Sequence, residues 1–200
     1  MPYQFKNFDF NSTLVTAMLS DSTTPGYLWV GFEKNGNNIC KLQKLGGHDL
    51  DQVYYDLDLL VDKINNMKIL NSQIFLAVDD DTYMGYRTNK DTPFSNPNYI
   101  DRPAGITEQA IDLASISFYM YYLTPGIASG EVAKIVQVNQ SGVHQETLVM
   151  NESGKVINNA VSMVSDGTNL WIVTGNNPTE LVRVYESGGT LQYEVTVLTV

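Results

Sequence analysis

The 200 residues contain a single cysteine, Cys40, so no intrachain disulfide can form and metal sites built on paired thiolates are excluded. Histidine is nearly as scarce. His48 and His144 are too few for a multi-histidine metal site, and each sits beside an expected turn or strand start, where an exposed role is the simpler reading. Charge is sparse and lopsided: 17% of residues are charged, with 12 Lys and Arg against 22 Asp and Glu, for a net charge of -10. Nucleic acid and anionic membranes are poor partners for such a chain, because both attract a positive field. The start, Met1-Pro2-Tyr3-Gln4-Phe5-Lys6, lacks a basic segment followed by an apolar one, so no secretory signal is expected. No apolar run approaches the ~20 residues that span a bilayer. Gly-x-Ser-x-Gly, a Gly-rich phosphate loop and His-Glu-x-x-His are also missing, which leaves hydrolase elbows, nucleotide loops and zincin helices without support.

What remains is a chain that is 43% hydrophobic and 10% aromatic, ample for a packed core, with a surface that must be made largely of neutral polar residues. The apolar residues fall into short runs rich in aromatic and β-branched types. Four leading runs are Tyr27 to Phe32, Ile74 to Val78, Phe118 to Leu123 and Asn169 to Val173, their starts about 44 to 52 residues apart. Each is followed by turn-forming residues: Lys34 to Asn38, Asp79 to Asp81, Pro125 to Gly130 and Gly175 to Pro178. Second strands are expected at Cys40 to Leu45, Tyr83 to Thr88, Val132 to Asn139 and Leu181 to Glu186. Third strands are expected at Val53 to Leu60, His144 to Met150 and Leu191 to Val200. Ile64-Asn65-Asn66 and Ile157-Asn158-Asn159 each precede a leading run, which places a short inner strand between.

A period of about 45 residues with up to four short strands per unit is the signature of propeller blades, so the expected fold is all-β with about four propeller-like blades. Asp166-Gly167-Thr168-Asn169-Leu170-Trp171-Ile172-Val173, then Leu181 to Tyr185, then Ser187-Gly188-Gly189-Thr190-Leu191, resembles a blade of the NHL-like propellers. In those blades an Asp-Gly-Thr turn leads into a strand bearing an aromatic, and the next hairpin carries the glycine turn. The resemblance implies a β-propeller-type repeat protein, with residues 14–200 as one β domain and residues 1–13, bearing Tyr3, Phe5, Phe8 and Phe10, as an N-terminal arm or closing strand.

Three segments resist the repeat. Residues 49 to 64 carry both a helical spacing (Leu50, Val53, Leu57, Leu60, Ile64) and a strand alternation; the strand is preferred because the third repeat places one at the same offset. Thr107 to Ala114 reads as a short helical insertion. Asn89 to Pro103, with three prolines, reads as a long loop, and residues 1 to 13 and 91 to 103 are the segments expected to contact partners.

No residue is assigned a catalytic, cofactor-binding or metal-binding role, and the chain is expected not to be an enzyme. Asp79-Asp80-Asp81 is the densest acidic cluster; a turn is preferred there, with Ca²⁺ as the alternative. Tyr54 and Tyr55, with Tyr83, Tyr86, Tyr99, Tyr119, Tyr121 and Tyr122, suit packing, subunit contact or stacking on sugars. Alternation places Tyr54 and Tyr55 on opposite faces of one strand. Trp29 and Trp171 occupy corresponding blade positions, and Trp171→Ala is expected to cost roughly 3 to 5 kcal/mol if that indole is buried.

An acidic, Asn/Thr/Tyr-rich, nearly cysteine-free repeat with Ser-Gly turns resembles the tail and fibre proteins of tailed phages. That resemblance implies a structural or adhesive virion component, made in the host cytoplasm, whose partners are other virion proteins or further copies of itself as an oligomer, with a host-surface glycan as a further candidate. The alternative is a bacterial glycan- or ligand-binding propeller module. An enzyme of the lactonase or lyase type would need carboxylates or histidines gathered around a central metal.

Overall fold

The computed structural model describes residues 14–20, 26–34, 39–46, 52–92, 98–128, 130–152 and 155–198. The N-terminal arm, His48 and residues 93–97 therefore lie outside the described residues. By contacts the chain divides into two compact units, Met1–Ile64 and Asn65–Val200.

Every regular element among the described residues is a strand. Four antiparallel meanders of four strands account for nearly all of them. The first comprises β1 (Val15–Ser20), β2 (Leu28–Phe32), β3 (Cys40–Gly46) and β4 (Gln52–Leu59), paired in chain order. The second comprises β5 (Lys63–Leu70), β6 (Gln73–Asp79), β7 (Tyr83–Asn89) and β8 (Asn98–Asp101). The third comprises β9 (Asp112–Ile116), β10 (Tyr119–Thr124), β11 (Lys134–Asn139) and β12 (His144–Val149). After a small hairpin, β13 (Asn151–Glu152) with β14 (Lys155–Val156), the fourth comprises β15 (Ala160–Ser165), β16 (Leu170–Thr174), β17 (Glu180–Ser187) and β18 (Thr190–Val197).

The expected leading strands are thus β2, β6, β10 and β16, each second in its sheet. The ambiguous segment at 49 to 64 contains the strand β4. Two expectations are corrected. Thr107 to Ala114 is not helical: Asp112 opens β9, the Ile111 N–H donates to the Leu123 carbonyl, and the Ala110 carbonyl accepts from Asn65 Nδ2, so the backbone groups a helix would need are committed elsewhere. Asn89 to Pro103 is not one long loop either, since β8 within it completes the second sheet. Tyr99 pairs with Tyr86 across the strands and stacks on Tyr83 at 4.3 Å, contacts that favour pairing over a free loop.

Turns between strands follow local chemistry. Asn71 and Ser72 both have positive φ, 49° and 63°, as a two-residue hairpin requires, and they join β5 to β6. Gly188 and Gly189, at 63° and 82°, do the same between β17 and β18 at no steric cost. Asp80, Asn89, Asn139 and Asp166 each accept two backbone N–H bonds from residues two to four ahead, closing four Asx turns.

In the second unit the sheets stack by one rule. Phe75 and Ala77 of β6 enter a cluster with Leu113, Met120, Tyr122, Val136 and Val138, which lie on one face of the third sheet. The opposite face of that sheet presents Ala114, Tyr121, Leu123, Ile135 and Leu148 to Leu170, Ile172, Val182 and Val184 of the fourth. Register shows what repeats. In every meander the second strand places an aromatic residue opposite a long polar one on the third: Trp29 with Lys44, Phe75 with Arg87, Tyr121 with Gln137 and Trp171 with Arg183. In the second and third sheets this aromatic-bearing face is the one covered by the next sheet.

Candidate functional site

Polar chemistry gathers where first strands meet. Asp112, the first residue of β9, is only 5% exposed, and its carboxylate accepts four hydrogen bonds. Oδ1 accepts from Asn66 Nδ2 of β5 and from the Leu113 N–H at 2.8 Å; Oδ2 accepts from Ser162 Oγ at 2.9 Å and the Met163 N–H at 2.8 Å on β15. One side chain thereby ties the first strands of three sheets together. Asp112 lies opposite Leu123, and Ser162 opposite Val173, at the same step of their sheets. With its acceptor positions engaged by internal donors, this carboxylate is built to hold strands, and sequence offered no signal for it beyond a lone Asp before Leu113.

A second buried carboxylate, Glu108 at 7% exposure, accepts from the backbone N–H groups of Gly126, Ile127 and Ala128. Those three donors lie in the loop after β10, so Glu108 fixes a connection 18 to 20 residues away. Nearby, Glu131 bridges Thr107 and Lys134, and the Lys134 ammonium holds its carboxyl below the ordinary range.

In the first unit, Lys44 is 5% exposed and lies over three rings: 4.7 Å from Tyr27, 5.5 Å from Trp29 and 5.7 Å from Tyr55. Tyr54 meets Tyr27 edge-on at 4.9 Å. Consecutive Tyr54 and Tyr55 therefore join one cluster, contrary to the alternation expected. The cause is a bulge: Leu45 pairs with Val53 and Lys44 with Tyr55, leaving Tyr54 as the extra residue. Tyr54 is 45% exposed, whereas Trp29 is wholly buried and its Nε1 finds no acceptor among the described residues.

No family model matches the chain, and no curated protein matches it. Among solved structures it is similar to a chain from a structural and mechanistic analysis of two prolyl endopeptidases, with a TM-score of 0.53 at 10% identity over 87% of this chain and 25% of that one. It also aligns with the tail fibre of a Staphylococcus aureus phage, with a TM-score of 0.36 at 12% identity over 89% of this chain and 46% of the fibre chain. The chain thus spans about a quarter and under half of these two. At 10% identity the first likeness shows a shared fold alone, and a TM-score of 0.36 bears on neither fold nor function.

Of the candidate ligands and nucleophiles that sequence singled out, Cys40, His144 and Asp79 to Asp81 are not brought together. Cys40 is buried, and its thiol donates to the Phe32 carbonyl at 2.9 Å. Burial, reinforced by Asp62, pushes that thiol up to about 12, far from the range of a nucleophile at neutral pH. His144 is exposed, with Nε2 2.9 Å from Thr147 Oγ1. In Asp79-Asp80-Asp81, Asp80 caps the turn through the Thr82 and Tyr83 N–H groups, while its own carbonyl accepts from Arg102. Among the described residues no group of three or more His, Cys, Asp or Glu could hold a metal ion, and no helix is long and apolar enough to cross a membrane.

Asp166 opens the turn before β16 as the blade-like motif implies. Its Oδ2 accepts from Trp171 Nε1 at 2.8 Å and from Asn169 Nδ2, and Oδ1 accepts from the Thr168 and Asn169 N–H groups. The Trp171 indole first, then those backbone donors, hold the carboxyl well below the usual range. Trp171 itself is only half-buried, unlike Trp29.

Proposed function

We propose that the protein is a non-enzymatic structural or adhesive component of a phage virion, a tail, fibre or decoration protein, whose four sheets serve as propeller-like blades and which acts through protein–protein assembly. The observation that carries this reading is the division between interior and surface. Inside, buried carboxylates are consumed in tying strands and loops together. Outside, large apolar side chains stand exposed on strands and turns of the first, third and fourth sheets, among them Met18, Phe118, Val143, Val161 and Val164, on a surface with few charges. Such a surface suits contact with other proteins. The composition and its resemblance to phage tail proteins select the virion among possible assemblies.

The test is co-sedimentation of purified protein with phage particles and tail structures, together with labelling of intact particles by an antibody raised against it. Specific labelling at one place on the particle supports the reading. Absence of the protein from purified particles overturns it.

A second reading, a glycan-binding module, is favoured by one feature: the partly exposed Tyr54 beside Tyr27, with the Lys44 ammonium beneath. Tyrosine rings stack on sugar faces, and a glycan array with Tyr54→Ala as control separates this reading from the first.

A further inference from the structure

The stacking rule of the second unit runs out at the fourth sheet. Its inner face, with Leu170, Ile172, Val182 and Val184, is buried against the third sheet. The other face carries the row Val164, Trp171, Arg183 and Glu194, one residue from each strand, and beside it the row Ser162, Val173, Leu181 and Thr196. This is the face equivalent to the one bearing Phe75 in the second sheet and Tyr121 in the third, where those aromatics are 0% and 3% exposed beneath a neighbouring sheet. Here Val164 is 60% exposed, and Trp171, Val173 and Leu181 are half-buried.

We infer that this face is a self-association surface that packs against the same face of a second copy of the chain. Two observations select that occupant. First, in the second and third sheets the equivalent face is covered by another four-stranded sheet of the same kind, so the surface has the pleat and the apolar stripe to receive one. Second, the face carries both signs of charge: Arg183 lies 3.6 Å from Glu194, with side chains 41% and 61% exposed. In a two-fold arrangement the Arg183 of one copy meets the Glu194 of the other, so the face is complementary to itself. A chain of net charge -10 repels its own copies over most orientations, and a locally balanced, apolar-centred face is where that repulsion is least. The inference deepens the proposed assembly role but stands on the packing and charge of this face alone.

The experiment is solution mass by light scattering over a tenfold dilution series for wild type, Val164→Glu and Val53→Glu. Val53 is also exposed, at 55%, and lies on β4 in a different sheet, outside the row, so it serves as the control. The expected result is a wild-type dimer, a Val164→Glu monomer with unchanged circular dichroism, and a dimeric control. A wild-type monomer at all concentrations, or a folded Val164→Glu chain that remains dimeric, overturns the inference. Should Val164→Glu fail to fold, acrylamide quenching of Trp171 in a Trp29→Phe chain decides instead. Quenching that rises on dilution supports the face-to-face contact, and quenching independent of concentration refutes it. A monomer that still co-sediments with particles sinks this inference while leaving the virion role standing; a dimer absent from particles does the reverse.

Discussion

Asp112 Oδ2 accepts the Ser162 hydroxyl at 2.9 Å across 50 residues of chain, and through the same carboxylate β5, β9 and β15 share one anchor. Removing a buried charged acceptor leaves several donors without a partner, each of which costs free energy once dehydrated. Asp112→Ala is therefore expected to destabilise by about 3 kcal/mol or more, and Asp112→Asn to recover only part, because its amide group offers hydrogens where hydrogens already point. Urea unfolding with an unchanged slope measures both. A loss under about 1 kcal/mol for the alanine variant would mean that the three strands are held by other contacts.

Trp29 and Trp171 occupy the same step of their sheets but differ in environment. Truncating the buried Trp29 to alanine is expected to cost about 3 to 5 kcal/mol. Trp171, half-buried on the outer face of its sheet, is expected to cost less, about 1 to 2 kcal/mol in the separated chain, its main tie being the bond to Asp166. Thermal melts of the two variants at a concentration low enough to suppress association give the comparison. Equal losses would show the outer face of β16 to be covered.

Tyr122 is fully buried, and its hydroxyl has no hydrogen-bond partner among the described residues; burial pushes its ionisation far up. It projects toward Gly85, where an added Cβ would stand 2.6 Å from the phenolic oxygen and 2.8 Å from the Leu76 carbonyl. Tyr122→Phe removes an unpaired polar atom and is expected to be neutral or slightly stabilising. Gly85→Ala overpacks the same spot and is expected to cost about 1 to 3 kcal/mol, an effect the double variant with Tyr122→Phe should partly relieve. A strongly destabilised Tyr122→Phe would point to an acceptor in the form of a bound water.

Cys40 links stability to alkaline pH. Its thiol is raised from 9.0 to about 12 in the folded chain, so the folded state holds this proton more tightly than the unfolded one. The contribution is complete below pH 9 and is lost as pH rises toward 12, at a slope of up to about 1.4 kcal/mol per pH unit. Lys41, raised chiefly by its hydrogen bond to Asp56, loses its own smaller contribution in the same direction above 10.5. Stability measured at pH 8 and 10 should fall more for wild type than for Cys40→Ala. At pH 8 the native thiol should resist maleimide while the urea-unfolded one reacts at once; rapid native labelling would show that Cys40 is open to solvent.

The repeat was legible because strand, turn and pairing are neighbours in sequence. Asp166-Gly167-Thr168-Asn169 followed by Leu170 to Val173 announced a capped turn and a strand, and both are there. What escaped depends on partners far along the chain. Ile106, Ala110, Leu113 and Ala114 have helical spacing, but Glu108 is claimed by amides of residues 126 to 128 and the Ala110 carbonyl by Asn65, and no local pattern records that. The bulge that brings Tyr54 and Tyr55 into one cluster changes a count of one residue on one strand, which alternation alone cannot register.

The meander order of each sheet bears on how the chain is made. Adjacent strands are consecutive in sequence, so pairing closes short loops at little entropic cost, whereas the ties through Asp112 span 46 and 50 residues. A chain emerging from the ribosome can therefore complete one sheet at a time, with Asp112 drawing bonds to Asn66 first and to Ser162 only after the last sheet has begun to appear. Synthesis would run as a series of small closures in which Asp112 waits, half engaged, for β15.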